Sequence, residues 1–372
     1  MKVLYVTTIS GTINAFLVPH IKMLLKQGHN VDIACNITSP INEQLLEHGC
    51  RVYNIEFQRS PLTRKNYIAY KKLKNLIQEG DYDLVHTHTP VASFITRLVC
   101  KDISNIKVFY TAHGFHFLKG APVKNWLLYY PMEKVAAKWT DGLITINEED
   151  YQVAKKWNLI ALYKTHGVGV NLTKFTPQNK EIKNKLREEY QFQKDDFILI
   201  YAANLNENKH QTLLINTIKI LKNDVPNLKL LLAGDGPLRE TYKKQIKEEQ
   251  LEENIILLGI RKDIPKLLQI SDVAVASSKR EGLPVNLMEA MATGLPLVAT
   301  ERRGHNDLIT HGENGFLIGV NNIDGFSKAI RKLYESKELR WKFGRNNIRF
   351  VQKYKLDNVL AELNDIYSNY FR

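Results

Sequence analysis

Lys279-Arg280-Glu281-Gly282-Leu283-Pro284-Val285-Asn286-Leu287-Met288-Glu289-Ala290 is the stretch on which the reading of this chain turns. An apolar run at 273–276 precedes it and another at 296–299 follows it. Two such runs flanking a helix-length segment read as a strand–helix–strand unit. Gly282 permits the tight turn out of the strand. Pro284 suits the first turn of a helix, where its missing N–H costs nothing. The free amides of that first turn form a binding site for a phosphate. Glu281 stands before the helix and Glu289 further into it. A carboxylate there accepts two hydrogen bonds from a vicinal diol, as a sugar or ribose presents. The same residues also read as a helix cap and a solvated charge, and taken alone they leave both readings open.

Outward from this unit the pattern repeats. In the first half, runs at 3–6, 31–35, 52–55, 84–86, 108–110 and 143–146 read as strands, most of them separated by helix-length segments. Residues 15–27 have helical spacing (Phe16, Leu17, His20, Ile21, Leu24, Leu25) and stop at Gly28. The second half restarts with runs at 197–201, 229–233, 255–258, 273–276 and 296–299. Residues 167–180 between the halves are rich in Gly, Asn, Thr and Pro and read as a linker. The expectation is an α/β chain of two Rossmann-like, doubly wound domains. An N-terminal domain spans 1–172 and a C-terminal one 173–354. A final helical segment, 355–372, packs back on the first domain. Trp341, Phe343, Tyr354 and Tyr367 are its and its neighbours' apolar anchors. Two such domains face a central cleft lined by the carboxyl ends of both sheets, where ligands of these sheets bind.

The length of 372 residues fits two cores better than one. No signal peptide is legible at Met1-Lys2-Val3-Leu4-Tyr5-Val6, because Thr7, Thr8 and Ser10 break the apolar run. No apolar run approaches the ~20 residues of a membrane span, so the chain reads as cytoplasmic. Cys35, Cys50 and Cys100 are odd in number and unpaired in sequence, which points to buried thiols rather than disulfides or zinc. The formal net charge is +13. Such a surface attracts nucleic acid, anionic lipid or a diphosphate substrate, and charge alone does not choose among them.

Glu281 and Glu289 are spaced as in the Glu-x7-Glu motif of family 4 glycosyltransferases, which have the GT-B fold. The flanks resemble that family too: Gly234-Asp235-Gly236-Pro237-Leu238 after a strand, Gly259-Ile260-Arg261 with Asp263 and Ile264, Ser271-Asp272-Val273, and Ala290-Met291-Ala292-Thr293-Gly294-Leu295-Pro296. The resemblance implies that Glu289 binds the donor ribose. Glu281 and the backbone of Gly282, Leu283, Pro284 and Val285 then hold the donor sugar and diphosphate, and Arg261 borders the base. Lys209, just after a strand, becomes a diphosphate counter-ion. Asn204 stands where the family commonly has an arginine. Gly11 resembles the family's glycine loop, although a lone glycine there is more often only a turn. His113, at the end of a strand, faces the donor sugar by the same resemblance.

His86 and His88 share one strand face, as a metal pair would, but no third ligand has supporting spacing. Polar residues at the edge of a cleft are the simpler reading. Arg64, Lys65, Lys71 and Lys72 lie on one face of a helix, and Lys119 and Lys124 flank the aromatic stretch from Phe115 to Tyr130. Basic and aromatic surface together suit an anionic membrane or a lipid diphosphate. A solvated helix face and ordinary core aromatics are the alternative.

The resemblance implies a retaining hexosyltransferase that moves a sugar from a UDP-sugar, of UDP-N-acetylhexosamine type, to a polyprenyl-diphosphate-linked sugar in capsule or exopolysaccharide assembly. It further implies peripheral attachment to the cytoplasmic face of the membrane, no metal and no other cofactor. Nucleic acid is not expected as a partner, since no motif for it is present. Two other classes remain beside it: a nucleotide-sugar epimerase of the same architecture, and a non-catalytic basic module that binds polyanions.

Overall fold

The computed structural model describes residues 1–61 and 63–370. Its chain divides into two units, Met1–Val168 with the segment from Asp357 onward, and Gly169–Leu356. The division falls at Val168/Gly169 rather than at 172/173, inside the Gly-rich stretch. Gly167 and Gly169 both have φ above +80°, where a side chain is strained, and a Cβ on Gly169 would lie 2.7 Å from the Leu356 backbone.

The first unit carries β1 (Lys2–Ile9), β2 (Asn30–Asn36), β3 (Val52–Asn54), β4 (Leu84–His88), β5 (Lys107–Ala112), β6 (Gly142–Thr145) and β7 (Leu162–Lys164), in the order β3-β2-β1-β4-β5-β6-β7. Every pairing is parallel. A parallel sheet is covered on both faces, so its strands read as continuous apolar runs. Alternate residues of β1 serve opposite faces. Val3 and Tyr5 join Ile13, Leu17 and Ile21 in one core. Leu4 and Val6 join Leu73, Ile77, Ala92 and Ile95 in the other. Chain order reverses between β1 and β4, which marks a ligand-binding switch point.

The helix Leu356–Ser368 returns to this sheet. Leu363, Ile366 and Tyr367 are buried in the same core as Tyr5. The Tyr367 hydroxyl meets the Tyr5 hydroxyl at 2.6 Å and His86 Nδ1 at 2.5 Å. Of the four expected anchors, Phe343, Tyr354 and Tyr367 are buried. Trp341 is not: it is 63% exposed, with the Arg345 guanidinium 4.5 Å above its ring.

The second unit repeats the plan with β8 (Phe197–Ala202), β9 (Leu228–Ala233), β10 (Ile255–Gly259), β11 (Val273–Ala276), β12 (Leu297–Thr300) and β13 (Gly315–Ile318), ordered β10-β9-β8-β11-β12-β13. Its strands are parallel as well. Order reverses between β8 and β11. Both units are thus doubly wound. The edge strands β7 and β13 are not in the sequence reading. β7 has three residues and only one aliphatic side chain. β13 lies where the run of predicted strands had ended.

All three cysteines are buried and free, and burial pushes the Cys35 thiol up to about 12. One buried ion pair links helices Pro90–Cys100 and Val123–Ala137. Arg97, wholly buried, donates to Glu133 at 2.7 Å and lies 4.3 Å from the Tyr110 ring centroid. Glu133 also accepts from the Tyr110 hydroxyl. Removing one member strands a charge in low dielectric. Glu133→Ala is therefore expected to lower stability by about 3–5 kcal/mol, read from urea melts. An effect under about 1 kcal/mol would mean that the site rehydrates.

Candidate active site

The carboxyl ends of β8 and β11, beside the switch point of the second unit, bring two loops together. After β8 the chain runs Ala203-Asn204-Leu205-Asn206-Glu207-Asn208-Lys209, and after β11 it runs Ser277 to Pro284. The loops are tied by backbone. Lys279 N–H donates to the Asn208 carbonyl at 2.8 Å, Ser277 Oγ donates to the Lys209 carbonyl at 2.7 Å, and Asn208 Nδ2 donates to the Arg280 carbonyl at 3.0 Å. Across them Lys209 Nζ donates to Glu281 Oε1 at 2.5 Å, with side chains only 21% and 11% exposed. Burial alone would raise the Glu281 carboxyl; Lys209 and, behind it, His305 and Ser278 outweigh this and hold it below its ordinary value.

A third loop props the second. Arg303 Nε donates to the Glu281 carbonyl at 2.9 Å. Gly304 (φ +80°) comes so close to the Gly282 carbonyl that a Cβ would lie 2.5 Å from its oxygen. Only glycine fits there. Thr300 Oγ1 donates to the Ser278 carbonyl, and the Tyr201 and Ser278 hydroxyls meet at 2.6 Å.

The helix Val285–Ala292 leaves this loop with Pro284 as its N-cap, one position ahead of the expected place inside the first turn. The first intrahelical bond runs from Leu287 N–H to the Pro284 carbonyl. The amides of Val285 and Asn286 therefore head the helix without an intrahelical acceptor. Glu289 follows one turn on. Its carboxylate has neither an ion-pair nor a hydrogen-bond partner among the described residues. Burial raises it to about 7, with Lys174 pulling weakly the other way. It is neither a solvated charge nor a cap.

Asn204 and the Gly234-Asp235-Gly236 turn form one layer. A Cβ at Gly234 would overlap the Ala203 carbonyl at 2.0 Å, and one at Gly236 the Leu205 carbonyl at 2.4 Å. Asn204 Oδ1 accepts from Asn206, and Asn206 Oδ1 accepts from Lys209 N–H. Asn204 thus helps to fix the turn that carries Lys209. Arg261 follows β10. Asp263 grips it through both oxygens, at 2.8 and 2.5 Å, and Tyr190 donates to the same carboxylate. The Arg261 hydrogen bonds hold Asp263 down to about 2.

In the first unit, Gly11 is not in a loop. Helical structure begins at Ser10, directly after β1, and passes through a π segment at Ile13–Leu17. A Cβ at Gly11 would make only an ordinary 3.6 Å contact with Ile9, so neither space nor φ demands glycine. His113 lies past the end of β5, with Nε2 3.0 Å from His88 Nδ1. His86 and His88 are wholly buried, their rings 4.3 Å apart. His86 is bound to Tyr367 and to Thr111. Among the described residues no group of three His, Cys, Asp or Glu side chains is placed to hold a metal. Burial lowers all three imidazoles, His113 to about 4, so the cluster is neutral near pH 7.

Arg64, Lys65, Lys71 and Lys72 are all exposed on the helix Arg64–Glu79, and Lys119 and Lys124 are exposed near the start of Val123–Ala137. The aromatic stretch divides. Phe115 and Phe117 are core residues packed with Trp157, whereas Trp126, Leu127 and Leu128 reach the surface. No described helix is long and apolar enough to cross a membrane.

Residues 182–350 match the family described as Glycosyl transferases group 1, and residues 2–147 the one described as Glycosyl transferase 4-like. A putative glycosyltransferase of Bacillus subtilis, EpsD, is 40% identical over 99% of this chain and 97% of its own. The chain belongs to the glycosyltransferases of this family. An Escherichia coli relative of this glycosyltransferase, UDP-Gal:alpha-D-GlcNAc-diphosphoundecaprenol alpha-1,3-galactosyltransferase, is 28% identical over 93% of this chain and 90% of its own. HepE of Anabaena, solved with UDP and glucose, shares the GT-B fold at a TM-score of 0.81 and 19% identity, covering 99% of this chain and 100% of its own.

The sequence reading of the glycosyltransferase missed Ser278, Thr300, Arg303, Gly304 and His305, which hold the Glu281 loop. Gly304 after a predicted strand was the available signal. Its contact with Gly282, 22 residues away, was not. The site also carries a pH signature. Glu289 has a folded value of about 7 against 4.5 unfolded. Between these the folded state holds the extra proton, so this residue's contribution to stability falls as pH rises through the window. Relative to Glu289→Gln, the wild type is expected to lose about 2 kcal/mol between about pH 5 and pH 8, measured by urea melts. Parallel curves would show that Glu289 titrates normally.

Proposed function

We propose that this glycosyltransferase transfers a sugar from a UDP-sugar, of UDP-N-acetylhexosamine type, to a polyprenyl-diphosphate-linked sugar in capsule or exopolysaccharide assembly. The observation that carries the donor half is Glu289. A half-buried carboxylate without a protein partner, one turn beyond a helix head, is complementary to a vicinal diol joined to a diphosphate. HepE, which has this fold, was solved with UDP and glucose. The acceptor half rests on the E. coli relative, whose name specifies a diphosphoundecaprenol-linked sugar.

In this reading the ribose hydroxyls donate to Glu289. The diphosphate takes hydrogen bonds from the amides heading Val285–Ala292 and faces Lys209. Arg261, gripped by Asp263, borders the base. As the bond between the anomeric carbon and the diphosphate oxygen breaks, Lys209 and those amides meet the charge growing on the leaving group. The acceptor hydroxyl forms its bond from the same face, its proton passing to the leaving diphosphate, so configuration is retained. His113, kept neutral by burial, is no proton donor at pH 7. The reaction needs no metal, and turnover therefore survives EDTA. The exposed lysines and arginine of the first unit hold the chain at an anionic membrane surface.

Calorimetric titration with UDP, GDP and ADP tests the donor site. UDP is expected to bind most tightly, and Glu289→Ala to weaken it by about 1–3 kcal/mol. Equal affinity in wild type and variant would remove Glu289 from the site.

A further inference from the structure

Helices Arg64–Glu79, Pro90–Cys100 and Val123–Ala137 of the first unit enclose a groove of about 360 Å³. Its walls are aromatic and aliphatic, formed by Tyr67, Tyr70, Phe94, Ile95, Leu98 and Met132. Apolar surface continues outside it. Tyr67 is 60% exposed, and Ile68 and Leu127 are exposed on the two flanking helices. Exposed apolar side chains beside an apolar groove mark a binding surface.

The chemistry changes at one end. Val91 is shared with a second recess of about 290 Å³ at the carboxyl ends of β1 and β4, which Arg59, Thr8, Thr12 and Thr89 line. Arg59 has no acidic partner among the described residues. Thr89 is held at φ +68°, ψ +138°, a conformation costly for a β-branched residue, with Thr8 N–H donating to its hydroxyl at 3.0 Å. Strain of this kind collects at functional positions. At the other side, Lys71 Nζ lies 4.7 Å from the centroid of the Tyr67 ring. A hydrocarbon slot that opens onto a recess carrying an unpaired guanidinium, with a second cation at its rim, complements an amphiphile with an anionic head.

We infer that this groove seats the first isoprenoid units of the acceptor lipid, with Val91 at the junction where hydrocarbon gives way to a diphosphate facing Arg59. This rests on the lipid-linked acceptor reading above and adds a place for the lipid. Branched hydrocarbon fills such a slot by exclusion of water, while Arg59 selects the diphosphate end.

The test is calorimetric binding of farnesyl diphosphate, farnesol and inorganic pyrophosphate to the full chain. Farnesyl diphosphate is expected to bind at least about ten-fold more tightly than either fragment. Leu98→Trp, which fills the groove, and Tyr67→Glu, an exposed substitution that puts a negative charge at its mouth, should each weaken it by about ten-fold or more while UDP affinity is unchanged. Pyrophosphate binding as tightly as farnesyl diphosphate, or both variants binding it like wild type, would overturn the groove. Farnesol binding equally well would overturn the place of Arg59. Wild type that transfers label from a UDP-sugar to a lipid extract while both variants bind farnesyl diphosphate normally would sink the groove and leave the acceptor reading standing. Groove-dependent binding without any UDP binding would do the reverse to the donor reading.

Discussion

Lys209 and Glu281 come from loops that follow different strands, yet their charged ends meet at 2.5 Å with little solvent around either. Much of the second unit's upper edge is arranged to make that contact. Ser277, Asn208 and Lys279 staple the loops to each other, and Arg303, Gly304 and Thr300 prop the Glu281 side from beneath. A buried ion pair gains little net stability, because desolvating both ions offsets most of their attraction. The bracing makes sense if the pair sets positions. It fixes an ammonium against the loop that leads into Val285–Ala292, while Glu289 within that helix is left without a protein partner among the described residues.

The first unit works by the opposite device. His86, His88 and His113 pack against one another and burial keeps them neutral, so they offer polar contacts without charge. Tyr367 joins this cluster through His86 and Tyr5, which makes the last helix part of the sheet's polar interior and not only of its apolar core. Apart from Arg97, which Glu133 neutralises in the interior, the cations named in this unit lie at the surface, on Arg64–Glu79 and near the start of Val123–Ala137.

Much of the fold was legible because parallel strands are buried on both faces and advertise themselves as apolar runs. β11 matched its expected bounds, and most of the others differed by a residue or two. β7 escaped because three residues give no periodicity, and Trp341 misled because a large aromatic reads as core even where an arginine covers it in the open. At the site, local motifs carried Lys209, Glu281 and Glu289. Long-range contacts did not show: the grip of Asp263 on Arg261 and the close approach of Gly304 to Gly282 depend on packing. Gly11 was the converse, a motif glycine for which the structure gives no local need. Phe115 and Phe117 likewise left the aromatic surface for the core.

The most direct measurement is a double-mutant cycle of Lys209→Met and Glu281→Gln, read in both folding stability and kcat/KM for sugar transfer. If the pair exists to position a catalytic ammonium, each single variant loses stability, the double variant recovers most of it, and transfer is lost in all three. Transfer that returned with stability in the double variant would contradict the account and reduce the pair to a structural bridge.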